Sequence, residues 1–263
     1  MQDSSTHSRT LPHVAGRALR EVALVAVGLL VYFLVRGNVT EREALATRNA
    51  LAVIDAEKAL GIFWEPRLQS WVLDSAFQVR FWNWVYFWAH APAIVIVGLW
   101  LLWRHWPTYQ VIRNAFLVSA VIGLVCYYLY PVAPPRLMPG HGFVDTMLLY
   151  STTSYQAQSL KPFVNPYAAM PSLHFGWSFL LGVGVWLVWR DWRGVALGLL
   201  LPVSMGLAIV LTANHYILDG VAGFAVCLVG LAIAVWWERG HPLFRWRRRA
   251  TAISRPARAP GAI

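Results

Sequence analysis

Long apolar stretches separated by short polar ones dominate this chain. Six of them, at about residues 19–35, 81–103, 112–130, 172–189, 195–213 and 216–237, are close to the roughly 20 residues a helix needs to cross about 30 Å of hydrocarbon. A strand in lipid leaves backbone groups unpaired, and no ten-residue alternation of the barrel kind occurs, so each stretch is expected to be a helix. The predicted fold class is all-α, a polytopic membrane bundle of about six transmembrane helices. Residues 1–18 form a short tail, 19–237 the membrane domain and 238–263 a basic tail.

Between the first two stretches, residues 37–80 mix charges with apolar positions in partial helical register around 45–60. This predicts helices lying on the bundle or capping its end. The segment can be a lid over a lipid headgroup or a solvated connector with no part in chemistry, and the connector is the simpler reading. Gly194 with Gly198, and Gly220 with Gly223, are small-residue pairs of the kind that let helices pack closely.

Composition strengthens the membrane assignment. With 58% hydrophobic and 13% charged residues the chain lies outside soluble composition, and its 15 Trp and 10 Tyr suit the two headgroup levels of a bilayer. The net charge of +10 gathers after the last stretch, at Arg239, Arg245, Arg247, Arg248, Arg249, Arg255 and Arg258, as in a juxtamembrane segment facing anionic lipid. Nucleic acid is therefore not expected as a partner, since its recognition needs a soluble basic surface with stacking aromatics. The bilayer and a membrane lipid are.

The basic residues also orient the bundle. Arg9, Arg17, Arg20, Arg104, Arg113, Arg190, Arg193 and the tail fall on one side. The other side has Arg136, Lys161 and a first loop whose basic residues are matched by acidic ones. The positive side is cytoplasmic, so both termini are expected in the cytoplasm and the chain in the cell membrane. No small-residue cleavage pattern follows Val35, and the first stretch reads as an uncleaved span. Cys126 and Cys227 lie inside apolar stretches and read as small buried hydrophobes.

Polar islands interrupt the pattern at three places, all on the outer face in this topology. In the first, Pro131, Pro134 and Pro135 end a helix and stiffen the segment that carries Arg136, whose guanidinium fork can pair two phosphate oxygens. Alone it reads equally as an interfacial arginine. The second, residues 168–174, places Ser172 as an N-cap before His174, at a helix N-terminus of the kind that binds phosphate. Its plain reading is a capped helix with an incidental histidine. The third holds His215 and Asp219, four apart on one helix face; the carboxylate can accept Nδ1–H and leave Nε2 as a nucleophile. A structural hydrogen bond is the alternative, and a zinc or iron site another. The arginine and the helix start supply the anion recognition a metal would provide, so no metal and no cofactor are expected.

At these residues the chain resembles the type 2 phosphatidic acid phosphatase superfamily, and more closely its inositol phosphotransferase branch, which includes the catalytic subunit of fungal inositol phosphorylceramide synthase. The matching segments are Ala133 to Leu137 with Gly142 to Thr146, Asn165 to His174, and His215 to Gly223. The resemblance implies that His215 is the nucleophile forming a phosphohistidine, that Asp219 orients it, that His174 protonates the leaving oxygen and that Arg136 holds the phosphate. The phosphatase branch has cationic ligands where this chain has Leu129 and Ala208-Ile209, and a glycine where it has Leu173. Losing two cations favours phosphotransfer, with Lys161 as a candidate substitute. The alternatives are a lipid phosphate or polyprenyl diphosphate phosphatase and a non-catalytic scaffold or transporter, though transporters place their polar residues nearer the bilayer midplane.

Overall fold

A computed structural model describes residues 21–28, 30, 42–150 and 166–238. The protein is an all-α membrane bundle. Of the first predicted span, residues 21–28 and 30 are helical and the remainder lies outside the described residues, as do Lys161 and the tail arginines. Helices α1 (Glu43–Ala59) and α2 (Glu65–Leu73) occupy the segment before the second span. That span runs Ala76–Arg104 as α3 (Ala76–Trp84), a π turn (Val85–Ala89) and α4 (His90–Arg104). It starts earlier than its apolar stretch because Ser75 caps it, its Oγ accepting the Gln78 N–H at 3.4 Å. The bundle continues with α5 (Trp106–Leu129), α6 (Thr146–Tyr150), α7 (Leu173–Val188), α8 (Trp192–Leu211) and α9 (Ile217–Trp237).

Ala76–Arg104, α5, α8 and α9 are long and apolar enough to cross a membrane. The 16 residues of α7 span only about 24 Å at 1.5 Å per residue, and α7 is the most enclosed. It packs against α8 and α9, and α9 packs against α5. The small-residue pairs mark these contacts. A Cβ on Gly182 would lie 2.1 Å from the Gly198 carbonyl oxygen, and one on Gly223 would lie 2.1 Å from that of Ser172. At the end where α5 and α9 respectively begin and finish, Arg113 pairs with Glu21, and Asn114 Nδ2 donates to Glu238 Oε1 at 3.0 Å.

The segment before the second span is not a solvated connector. Ala46, Asn49, Ala50, Val53, Ile54 and Glu57 form one buried face of α1, and its apolar members share a core with Val132, Ala133, Met138, Ala169 and Tyr216. From α2, the buried Gln69 donates to the Val144 carbonyl and accepts the Val144 N–H, both at 2.9 Å. Together α1 and α2 cap the end of the bundle at which the polar islands meet.

Candidate active site

Backbone hydrogen bonds join the islands. Val132 N–H donates to Tyr167 O at 2.8 Å and Ala169 N–H to Val132 O at 3.2 Å, a short parallel pairing of the first island with the second. Arg136 N–H donates to Ala213 O at 2.8 Å, tying the first to the third; Ser172 N–H donates to Asp219 O at 2.8 Å, tying the second to the third. Between α8 and α9 the chain reverses at Ala213, whose φ of 53° is left-handed, a conformation that costs a non-glycine residue roughly 1–2 kcal/mol. The N–H groups of Asn214 and His215 both reach Ile209 O, at 3.0 and 3.1 Å.

The His215 ring is buried, and its Nδ1 lies 2.8 Å from the Ala169 carbonyl oxygen. That oxygen can only accept, so Nδ1 carries a hydrogen, and Nε2 is the ring nitrogen left for other chemistry. Asp219 Oδ2 is farther from Nδ1, at 3.5 Å. The expected carboxylate–imidazole pairing is thus present as a charge neighbour, while the carbonyl is the closer hydrogen-bond acceptor. Asp219 is fully buried, and its Oδ2 accepts the Tyr216 N–H at 2.9 Å.

His174, at the start of α7, has its ring centroid 5.8 Å from that of His215. The π turn and the residue after it supply its surroundings: the Tyr86 ring is at 4.6 Å and the His90 ring at 4.8 Å. A π turn adds a residue to a helix and re-aims the face beyond it, a device frequent at functional sites. Arg136 donates from Nε to Asn214 Oδ1 at 3.0 Å, and its Nη1 lies 3.5 Å from Asp145 Oδ2. Asp145 Oδ1 accepts the Met147 and Leu148 N–H groups, at 3.1 and 3.0 Å. Ser172 stands at the N-cap position of α7 but makes no capping bond; its Oγ is buried without a partner among the described residues. Ala208 and Ile209 are packed with Val85 and Tyr86.

His174, His215, Asp219, Arg136 and Ser172 thus meet at one end of the bundle, and Lys161 lies outside the described residues. Sequence reasoning missed the Ala169 carbonyl, Asn214 and Asp145, and also Glu57 and Glu65. Glu65 Oε1 accepts the Ile217 N–H and Glu57 Oε1 the Leu218 N–H, each at 2.8 Å. Only Glu57 carried a signal, lying on the apolar stripe of its helix eleven residues after Ala46. Burial, and next the hydrogen-bonding Glu65 carboxylate, push the Glu57 carboxyl up to about 9.

An all-α membrane bundle that gathers two histidines, a carboxylate and an arginine at one end defines a class of multi-pass membrane protein with a polar cluster where its helices begin and end. The chain belongs to the PAP2 superfamily, whose family model matches residues 51–233. It is 23% identical over 160 residues to the phosphoinositol dihydroceramide synthase of Bacteroides thetaiotaomicron, a match covering 56% of this chain and 52% of that protein. The chain spans about half the length of this curated relative. No solved structure matches it.

Proposed function

We propose that the protein is a lipid phosphotransferase that moves a phosphorylated headgroup from a donor lipid, through a phosphohistidine on His215, to an alcohol acceptor, as inositol phosphotransferases do. The observation that carries this reading is the 2.8 Å contact of His215 Nδ1 with the Ala169 carbonyl, beside the Asp219 carboxylate: a hydrogen bond from Nδ1–H to that oxygen leaves the Nε2 lone pair to attack phosphorus. In the first step the N–P bond forms as the P–O bond to the donor breaks, and His174 gives its proton to the departing oxygen. In the second step His174 takes the proton of the acceptor hydroxyl, the new P–O bond forms, and the N–P bond breaks. Arg136, held by Asn214, and the start of α7 with the Ser172 hydroxyl would receive the phosphate oxygens.

With water as acceptor the same steps give a lipid phosphatase, and the superfamily match supports that second reading. Reconstitution with labelled phosphatidylinositol, phosphatidic acid or a polyprenyl diphosphate separates the two. Transfer to an added alcohol from a phosphodiester donor is expected; inorganic phosphate as the main product from the other two lipids would favour the phosphatase. The arginine asymmetry supports the site on the extracytoplasmic face of the cell membrane, with both tails cytoplasmic and the membrane domain at 19–237. A cysteine placed beside Gly140 should label with an impermeant reagent in intact cells and one at Arg248 should not; the reverse pattern overturns the orientation. Full activity in chelator is expected, since a metal on either imidazole would occupy the lone pair this chemistry needs.

A further inference from the structure

We propose that Glu57 and Glu65 are positioning residues of this site: the two carboxyls share one proton and together clamp the first turn of α9, fixing where His215 and Asp219 stand. The inference rests on the reading of His215 as nucleophile. Both glutamates are fully buried, and they come from different helices, α1 and α2, separated by the turn at residues 60–64. Each spends Oε1 on a backbone N–H of α9, at Leu218 and Ile217, while Asp219 takes the Tyr216 N–H. Three successive N–H groups are therefore held by three carboxyl side chains, directly after the nucleophile in the chain.

The remaining oxygens make the case for a shared proton. Glu57 Oε2 and Glu65 Oε2 are both buried and without a donor among the described residues. Two ionised carboxylates in that position would repel each other and Asp219 with no water to screen them. One proton between them satisfies both oxygens and leaves a single negative charge against the positive end of α9. The groups facing the pair agree. Asp219 lies on α9, His215 and Tyr216 lie just before it, and the buried Tyr216 hydroxyl is raised above its ordinary range by burial, then by Asp219, Glu57 and Glu65. The value of about 9 for Glu57 places the loss of the shared proton on the alkaline side of neutrality.

A shared proton makes an unusual pattern of substitutions. In either Glu57→Gln or Glu65→Gln the amide oxygen still accepts its α9 N–H, the amide N–H₂ replaces the proton, and one negative charge remains. In the double variant two amide groups confront each other and no charge is left. Phosphoenzyme formation and transfer would be followed across pH 6 to about 10.5, the range bracketing the Glu57 value, in wild type, both single variants and the double variant in proteoliposomes. Hydrogen exchange of the peptide covering residues 215–219 would be read in parallel.

We expect each single variant to lose at most about threefold in kcat at pH 7 and the double variant at least a hundredfold. Wild type should have an alkaline limb near pH 9, accompanied by faster exchange in 215–219, that both single variants lack. Equal losses in single and double variants, or an alkaline limb unchanged in Glu57→Gln, overturns the proposal. Exchange in 215–219 reports the clamp independently of chemistry, so it also separates the two readings. A pH- and variant-dependent exchange pattern as expected, with phosphoenzyme persisting in His215→Ala, would keep the shared proton and discard the nucleophile it was meant to position.

Discussion

Two helices begin at the site, and their first turns are treated in opposite ways. At α9 the leading N–H groups are taken by carboxyl oxygens of Asp219, Glu65 and Glu57. The positive end of that helix is neutralised by the protein itself. At α7 the first turn has no acidic residue, its N-cap serine makes no side-chain bond, and the buried Ser172 Oγ has no partner among the described residues. Under the proposed mechanism, this helix start without a side-chain cap is where the phosphate oxygens of the donor would be received. If the proposed mechanism holds, the lesson is a division of labour: α9 is fixed by carboxyls beside the proposed nucleophile, while α7 would keep its electrostatic attraction for the phosphate of the donor.

The largest expected effect breaks the α9 side. His215→Ala has no atom with which to form the N–P bond, so phosphoenzyme should be absent for every donor, whatever its leaving group. His174→Ala on the α7 side should lose on the order of 10² to 10⁴ in rate on a lipid alkoxide, yet release the phenol of a phenolic phosphodiester in a single turnover. Acid-labile phosphate on the protein, measured with the phenol burst, checks both. A burst from His215→Ala, or equal inactivity of His174→Ala on both substrates, would reverse or abolish the assigned roles.

A smaller effect sharpens the contrast. Replacing an N-cap serine with alanine usually costs about 1 kcal/mol of stability, but Ser172 makes no capping bond to lose. Ser172→Ala should therefore leave the melting temperature nearly unchanged while raising the KM for the donor about tenfold, the equivalent of about 1.4 kcal/mol and at the low end for a hydrogen bond to a charged group. Glu65→Ala at α9 should do the opposite first, lowering the melting temperature because it strands the Ile217 N–H. If Ser172→Ala destabilises the protein as much as Glu65→Ala does, the division between the two helix starts is wrong.

Much of the fold was legible because apolar runs of spanning length record the bilayer directly. The polar islands were legible because arginine, histidine and aspartate beside such runs are costly and conspicuous. What sequence could not supply was side-chain-to-backbone pairing across long separations. Glu65 reaches Ile217 over 152 positions and Glu57 reaches Leu218 over 161; in sequence both stand among charges balanced by neighbouring Lys58 and Arg67, and only the place of Glu57 on an apolar stripe sets it apart. The Ala169 carbonyl was equally hidden, since any residue supplies a carbonyl and only the pairing of Val132 with the second island brings this one to His215. The π turn left no signal in an apolar run, although it carries Tyr86 to the site and leads into His90.

The last expected effect, the smallest over any single pH unit, concerns stability against pH, and it tests the carboxyl side of the comparison without any substrate. Glu57 titrates at the ordinary 4.5 when unfolded and at about 9 when folded, so between those values the native state holds a proton that the unfolded chain has released. The folded state then binds more protons, and stability must fall as pH rises. The slope for one proton is at most about 1.4 kcal/mol per pH unit, is steepest between the two values, and vanishes above the folded one. Detergent-solubilised protein should therefore melt at progressively lower temperature from about pH 5 to about pH 9. Glu57→Gln, which cannot release a proton, should flatten that trend. Glu57→Asp should keep a slope, because its shorter side chain remains an acid in the same dry place. Parallel melting curves for wild type and Glu57→Gln over this range would mean that the carboxyl is ionised when folded, and the Glu57–Glu65 pair would then carry two full charges rather than one.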